Sequence, residues 1–204
     1  MRHPINLSEA PGARETWDRP FPWILAWAII EPVLVRNSLQ LSSRLRVAVL
    51  RFFGAQVGSH VICRPGLRVR FPWKLAIGDR CWIGEDVWLH NQDQLTIEPD
   101  VVISQSSFIT TGTHAFRDDM ALITRPITIE AGTWVTSRAM VLGGVTIGRN
   151  AIVLPNTVVR KDVPPNAMFG TSEARVVGQR FASKDETNDR YRPIADDSDN
   201  SDRA

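Results

Sequence analysis

Residues 127–163 read ITIEAGTWVTSRAMVLGGVTIGRNAIVLPNTVVRKDV, and an aliphatic residue returns at every sixth position of this stretch. Two earlier stretches keep the same spacing, and all the stations are Ile, Leu or Val: Ile77, Ile83, Leu89, Ile97, Ile103, Ile109, Ile129, Val135, Val141, Ile147, Val153 and Val159. Four positions after each station stands a small or β-branched residue, or Cys81, with Asp93 as the exception. Six is not a helical period, and an alternating strand repeats every two residues. The period therefore predicts a solenoid of stacked repeats.

The breaks in the period are regular as well. Leu75-Ala76, Leu95-Thr96 and Ile127-Thr128 each add two residues before a station, which fits one corner of a three-sided coil. The sequence thus predicts an all-β fold, a parallel β-helix of hexapeptide repeats over residues 55–170, with the stations stacked inward in aliphatic rows. The hexads stop at one place, and we expect the loop 114–126 to be extruded from the coil there. Such insertions often carry function.

Residues 1–54 form an N-terminal extension that contains one apolar run, over residues 21–35, which Glu31-Pro32 is expected to interrupt. A second, amphipathic pattern predicts a helix over residues 38–53. The apolar run is shorter than the ~20 residues of a membrane span. It contains tryptophans, and an arginine-rich stretch follows it. The segment 21–53 therefore either packs on the main domain or makes peripheral contact with a membrane.

Charge is unevenly distributed along the chain. The totals are 24 Lys and Arg against 22 Asp and Glu, yet no acidic residue occurs from Pro32 to Gly78, where seven arginines and Lys74 stand. The segment 183–204 has seven acidic and four basic residues and few apolar ones, which predicts a disordered acidic tail. The first 20 residues lack the layout of a secretory signal. This favours a cytoplasmic protein, at the inner face of the membrane if the extension binds lipid.

Several motifs are similar to those of one enzyme family. They are Phe53-Gly54-Ala55-Gln56-Val57-Gly58, Ile109-Thr110-Thr111-Gly112-Thr113-His114, Ala131-Gly132-Thr133-Trp134-Val135, Gly144-Val145-Thr146-Ile147-Gly148 and Val159-Arg160-Lys161-Asp162-Val163-Pro164-Pro165-Asn166. The chain resembles the hexapeptide-repeat O-acetyltransferases, most closely the colanic acid biosynthesis branch. The resemblance implies a left-handed coil, acetyl-CoA as donor and a sugar or lipid-linked saccharide hydroxyl as acceptor. It also implies a homotrimer with active sites between neighbouring chains, with no metal and no nucleic acid.

The resemblance also gives roles on the acceptor side. His114 is the implied general base, because an imidazole titrates near neutral pH. Asn91 matches an asparagine that lies near the acceptor hydroxyl. An acid commonly follows the histidine in this family; that place is Ala115 here, so Asp118 or Asp119 would have to substitute for it.

On the donor side, Trp134 matches an aromatic residue of the pantetheine channel. The backbone amide of Ser137 is the implied donor to the oxyanion or thioester. Arg160, Lys161 and Arg175 are implied to meet the phosphates of CoA. The last of these lies in the C-terminal segment 171–182, where the family's Gly-x-Pro-Ala-Arg reads Thr-Ser-Glu-Ala-Arg in this chain.

The same fold also occurs in proteins with other functions. Carbonic anhydrases of this fold need three converging histidines, and His60, His90 and His114 are too widely spaced in this sequence. Two cysteines exclude a four-cysteine zinc site and a disulfide scaffold. A nucleotidyltransferase would need a further nucleotide-binding domain. A non-catalytic scaffold, or an acetyltransferase for a small non-sugar or amino acceptor, stays open as an alternative.

Overall fold

The computed structural model describes residues 5–12 and 14–170. The segments 171–182 and 183–204, with the predicted disordered tail and Arg175, lie outside the described residues.

Three parallel sheets build the repeat region, and the chain visits them in a fixed order. The first sheet holds β1 (Gln56–Val57), β4 (Leu75–Ile77), β7 (Leu95–Ile97), β12 (Ile127–Ile129) and β15 (Thr146–Ile147). The second holds β2 (Ile62–Cys63), β5 (Trp82–Ile83), β8 (Val102–Ile103), β13 (Trp134–Val135), β16 (Ile152–Val153) and β18 (Met168–Phe169). The third holds β3 (Arg68–Val69), β6 (Trp88–His90), β9 (Phe108–Thr110), β14 (Met140–Leu142) and β17 (Val158–Val159). The predicted β-helix is confirmed.

The aliphatic stations form the core. Every one of them is at most 3% exposed. In the second sheet, for example, Ile83 is in register with Ile103, Ile103 with Val135, and Val135 with Val153. Equivalent residues of successive coils therefore stack directly on one another, and burial of these side chains is the main stabilising contribution.

The corners of the coil share one backbone conformation. Many of the residues three positions after a station have a positive φ, namely Arg80, Asp86, Asp100, Ser106, Gly132, Arg138, Gly144, Asn150 and Asn156. His60 and Gly66 have the same conformation at the corresponding corners of the first coil. The left-handed region turns the chain sharply from one sheet to the next. Gly78 and Gly148 are not among them. A Cβ at Gly78 would lie 2.5 Å from the backbone nitrogen of Pro99 in the next coil, so close stacking explains that glycine better than a turn does.

Two helices cover the first coil. Helix α1 (Phe21–Ile30) ends where Glu31-Pro32 interrupts the apolar run, and a π-helical turn, Glu31–Val35, follows it directly. The turn closes through the Arg36 amide, which donates to the Glu31 carbonyl at 2.8 Å. Proline is tolerated here because it stands at the start of the wider turn. None of the described helices is long and apolar enough to cross a membrane.

Helix α2 (Ser43–Phe52) begins later than the predicted residue 38. Ser42 caps it, since the Ser42 hydroxyl accepts from the Leu45 amide at 3.2 Å. Arg46 fixes the connection that precedes α2. Its fully buried side chain donates to the carbonyls of Val35, Asn37 and Gln40. Buried guanidinium contacts of this kind are charge-assisted and cannot be read from periodicity.

The break in the hexads is an antiparallel hairpin. It consists of β10 (Gly112–His114) and β11 (Leu122–Thr124). It leaves the coil at the corner where the chain passes from the third sheet to the first. The strands on either side keep their register across it, because β9 pairs with β14 and β7 with β12. The hairpin is thus an addition to an uninterrupted stack.

The stack makes a sharp prediction for two adjacent residues of β7. Ile97 is 1% exposed, whereas Thr96 faces outward between Ala76 and Thr128. Ile97→Ala should lower the free energy of unfolding by about 2–5 kcal/mol through the cavity it leaves. Thr96→Ala should change it by no more than about 0.5 kcal/mol. Urea unfolding at one fixed chain concentration measures both, and equal losses would contradict the inward assignment.

Candidate active site

The hairpin is anchored at its base by the coil that precedes it. The Thr111 hydroxyl accepts from the Asp93 amide at 2.9 Å. Gly112 lies so close to the Gln92 side chain that a Cβ would stand 2.3 Å from its Oε1 atom. On the other side, a Cβ on Gly143 would be 2.7 Å from the Thr111 carbonyl oxygen. These contacts fix the direction in which the hairpin projects.

His114 is the last residue of β10, and its side chain is exposed. Its Nδ1 atom lies 2.9 Å from the carbonyl oxygen of Met120. A carbonyl only accepts, so Nδ1 carries the proton and Nε2 is left as the unprotonated nitrogen. The ring is therefore held in one tautomer, with a proton acceptor directed away from the contact.

The turn that supplies this carbonyl is organised by Asp119. The Asp119 carboxylate accepts from the Ala121 amide at 2.9 Å, and Met120 between them has a φ of +61°. Short Asx-type bonds of this kind stabilise tight turns. Asp118 is exposed at the tip of the same turn. Neither carboxylate hydrogen-bonds to the imidazole among the described residues, so the Met120 carbonyl takes the place expected of an acid.

A cavity of about 440 Å³ lies along the same corner, one coil before the hairpin. It is lined by Asp18, Arg19, Trp73, Lys74, Asp93 and Gln94. The Lys74 ammonium joins the N-terminal extension to the coil, since its Nζ atom lies 2.7 Å from an Asp18 carboxylate oxygen and 2.8 Å from the Gln92 carbonyl. The buried Nε1 atom of Trp73 has no hydrogen-bond partner in the described structure. Sequence reasoning missed this cavity, because its walls come from two distant segments.

The acceptor contact expected of Asn91 stays a prediction, and the structure shows where the side chain lies. Within the single chain that side chain is fully buried. The amide donates to the carbonyls of Phe71 at 2.7 Å and Lys74 at 3.2 Å, and its oxygen accepts from the Phe71 amide. Asn91 therefore clamps the segment that carries Trp73 and Lys74, and it shapes the wall of the cavity without lining it.

Trp134 and Ser137 lie on the opposite side of the coil. Trp134 faces outward from the second sheet, is 47% exposed, and donates from Nε1 to the Ser104 hydroxyl at 2.8 Å. Ser137 stands at the corner that follows, and its backbone N–H donates no hydrogen bond within the described residues. The second sheet is opposite the corner that bears the hairpin, with the aliphatic core between them. One chain therefore cannot bring His114 and Trp134 together.

Basic residues follow the hairpin along its own corner. Arg125 comes directly after β11, and its Cδ atom would be 3.0 Å from a Cβ on Gly144 in the next coil. Arg160 and Lys161 are exposed at the same corner one coil further on. The structure thus groups Arg160 and Lys161 with the hairpin, and it adds Arg125, which sequence reasoning did not single out.

The outward faces of the three sheets differ in chemistry. The first sheet presents Ala76, Thr96, Thr128 and Thr146 in register. The second presents Ile62, Trp82, Val102, Trp134, Ile152 and Met168. The third presents Arg68, Trp88, Phe108, Met140 and Val158. Two faces are therefore largely apolar although solvent-exposed in the single chain, which is typical of surfaces that contact another protein.

The cysteines do not form a reactive site. Cys63 is buried, and desolvation raises the pKa of its thiol to about 12. Burial also raises the pKa of Cys81, which is likewise buried. The thiolate is the nucleophilic form, so both residues are packing side chains. Among the described residues, no group of three or more His, Cys, Asp and Glu side chains is arranged to hold a metal.

Comparison with known proteins gives one consistent result. Residues 126–161 match the family model "Bacterial transferase hexapeptide (six repeats)". WcaF of Escherichia coli, whose name assigns it as an acetyltransferase of colanic acid biosynthesis, is 35% identical over 159 residues, which cover 78% of this chain and 87% of WcaF. The galactoside O-acetyltransferase of Escherichia coli is 26% identical over 136 residues, covering 65% of this chain and 67% of that protein.

A solved structure has the same coil. The hexapeptide-repeat acetyltransferase VCA0836 of Vibrio cholerae, in complex with acetyl-CoA, superposes with a TM-score of 0.62 at 27% identity, covering 71% of this chain and 78% of that one. The chain has the six-residue rows and the hairpin, and its match to WcaF extends over most of both proteins. It therefore belongs to the hexapeptide-repeat acetyltransferase family.

Proposed function

We propose that this protein transfers the acetyl group of acetyl-CoA to a hydroxyl group of a sugar or saccharide precursor, with His114 as general base. The observation that carries the proposal is the contact of His114 Nδ1 with the Met120 carbonyl on an exposed hairpin, which leaves Nε2 free to accept a proton. The acetyl donor agrees with the relatives, which are acetyltransferases, one of them solved with acetyl-CoA. The sugar acceptor follows the galactoside and colanic acid relatives.

The chemistry is a direct transfer. His114 Nε2 takes the proton of the acceptor hydroxyl as its oxygen attacks the thioester carbonyl. The tetrahedral intermediate carries a negative oxygen, and the free N–H of Ser137 is the proposed donor to it. Collapse breaks the C–S bond, and the imidazolium returns its proton to the departing CoA sulfur. No acyl-enzyme is needed, in agreement with the inert cysteines.

The cavity beside the hairpin is the proposed acceptor site. Its carboxylates, Asp18 and Asp93, and the amide of Gln94 offer the hydrogen-bonding groups that sugar hydroxyls require. The cavity lies one coil from the base of the hairpin, since Asp93 bonds directly to Thr111. Asp118, exposed at the tip of the hairpin, is the proposed further contact to the acceptor.

The donor site is proposed to form between two chains. His114 and the pair Trp134 and Ser137 stand on opposite sides of one coil, so they meet only if the second sheet of one chain faces the hairpin corner of its neighbour. The hairpin leaves the coil at the end of the third sheet. Packing of a second sheet against a neighbouring third sheet would therefore place the hairpin over Trp134.

The same packing predicts a homotrimer. The two apolar faces of a chain carry different residues, so their contact is heterologous, and such contacts form a ring when the rotation between chains closes. The threonine-bearing first sheet remains outside. In this ring Arg160 and Lys161 lie along the corner that borders the cleft, with Arg125 between them and the hairpin, and all three are available to CoA phosphates. Arg175 belongs to the same proposal from outside the described residues.

The central test is His114→Ala. The variant should lose about two decades of turnover or more, because it lacks the proton acceptor. It should keep the rise in melting temperature that acetyl-CoA gives to the wild type, because the imidazole does not hold the donor. Near wild-type turnover in the variant would end the assignment.

Asp119 gives a test of how the base is held. Asp119→Ala should loosen the turn that carries the Met120 carbonyl, so kcat should fall by about tenfold and the Nδ1-protonated tautomer should no longer dominate in ¹⁵N NMR spectra of His114. Asp118→Ala is the matched control: the tautomer should be unchanged, and the KM for the acceptor should rise. If the two variants behave alike, the role proposed for Asp119 in the turn and the role proposed for Asp118 at the acceptor are both wrong.

A mixing experiment tests the shared site. His114→Ala and Trp134→Ala each impair one side of the cleft. Co-refolding them in equal amounts should restore about a quarter of the sites, because an intact His114 meets an intact Trp134 of the neighbour at that share of the contacts between chains in random trimers. If both residues belong to a site within one chain, the mixture should be as inactive as each variant alone. Assays at low acetyl-CoA make the Trp134 lesion visible.

A further inference from the structure

Helix α1 has no polar side chain. It reads FPWILAWAII over Phe21–Ile30. One side packs inward, where Trp27 is buried and Trp23 lies 5.0 Å from the Phe53 ring. The other side leaves a row exposed at a spacing of four residues: Phe21 at 62%, Leu25 at 48%, Ile29 at 58% and Val33 at 53%. We call this row the α1 stripe.

An exposed row of this kind is unusual for a surface helix. Helices at a protein surface normally carry polar residues on their outer side, and one that is apolar all round is covered on all sides. Leu39 and Leu41 in the connection to α2 are also strongly exposed, so the apolar surface extends beyond α1. Such a surface indicates a partner.

The charge around the α1 stripe narrows the choice of partner. From Pro32 to Gly78 no acidic residue occurs, and six of the seven arginines there are exposed: Arg36, Arg44, Arg51, Arg64, Arg68 and Arg70. The carboxylate that borders the stripe, Glu31, is largely covered, and desolvation raises its pKa. It lies 3.9 Å from the Arg36 Nε atom, so it offsets one of these six arginines. The extension therefore combines an apolar row with a positive field that no acidic residue of this stretch offsets.

We propose that the α1 stripe inserts into the interface of an anionic lipid bilayer, with exposed arginines of the helices and the first coil, among them Arg44 and Arg64, on lipid phosphates. In-plane helices bind membranes by this combination of apolar side chains and cationic neighbours. A second copy of the chain is a poorer occupant, because pairing two such faces would bring arginines against arginines. The second and third sheets already offer apolar faces for contacts between copies.

The docking would set the orientation of the enzyme. Helix α2 packs on β1 and β2, so the helices cover the first coil and that end of the stack would face the lipid. Asp18 and Arg19, which line the cavity, stand directly before the start of α1. A saccharide carried on a membrane lipid would reach the cavity from this side. This last step rests on the proposed function, whereas the docking itself does not.

Co-sedimentation of the full chain with vesicles tests the docking. Vesicles of phosphatidylcholine mixed with phosphatidylglycerol should bind the wild type, and vesicles of phosphatidylcholine alone should bind it far less. The double variant Leu25→Gln, Ile29→Gln should lose about tenfold or more in partitioning. Leu7→Gln is the matched control, because Leu7 is equally exposed but lies outside the stripe, and it should bind as the wild type does.

The charge is tested separately. Arg44→Gln and Arg64→Gln should each weaken binding to the anionic vesicles by about fivefold at low ionic strength, and the loss should shrink as salt is added. Arg149→Gln, an exposed arginine of a late coil, should have little effect. Acetyl transfer to a water-soluble acceptor should be unchanged in the Leu25 and Ile29 double variant, so loss of activity in His114→Ala and loss of vesicle binding are independent results.

Three outcomes would overturn the proposal. The first is binding that does not depend on phosphatidylglycerol. The second is a double variant that binds as the wild type does. The third is a change in oligomeric state of the double variant in analytical ultracentrifugation without vesicles, which would assign the stripe to contacts between copies. Circular dichroism confirms that the variants are folded, and the two arginine variants test the charge without altering the apolar row.

Discussion

The structure depends on the stacking of one coil on the next through backbone hydrogen bonds. Donors of one coil meet acceptors of the following coil at close to 2.9 Å, as from the Trp82 amide to the Val101 carbonyl and from the Trp134 amide to the Ala151 carbonyl. Side chains in equal positions are thereby stacked in rows, inside as aliphatic stations and outside as ladders. Because stacking leaves no space at Gly78, the coils cannot slide or tilt locally. The position of any residue follows from its sheet and its coil.

This regularity explains why the candidate site stands at the one interruption. A uniform coil presents repeated surfaces, which suit assembly but offer few projecting groups. The hairpin adds a segment whose direction is set by Gln92 and Thr111 of the adjoining coils. It carries its own hydrogen bonds between β10 and β11, so the stack below it is undisturbed. His114 therefore projects from a rigid support, which is the arrangement that its proposed role as general base requires.

The sequence predicts the repeat well and the site only in part. The stations and the extruded segment follow from a period of six and its single break, because burial in a stack imposes one aliphatic residue at each step. The choice of His114 comes instead from the resemblance of its motif to a known family. The tautomer-setting partner, the Met120 carbonyl, leaves no sequence signal, since any residue supplies a carbonyl. The buried environment of Asn91 could not be predicted, because an amide at a corner bonds equally well to substrate or to backbone. The later start of α2 depends on Arg46, whose partners lie in the preceding segment.

The geometry of a three-sided coil also limits where catalysis can occur. A single flat face cannot enclose a thioester, and the hairpin corner and the second sheet of one chain point apart. Under the proposed function two chains solve both problems, because the face of one would close the open corner of the other and exclude water from the acetyl group. The pantetheine arm would then run in the cleft, with the CoA phosphates toward the basic corner residues. On this proposal assembly and acetyl transfer are two consequences of the same rows, and a substitution in the outward ladders should affect both together.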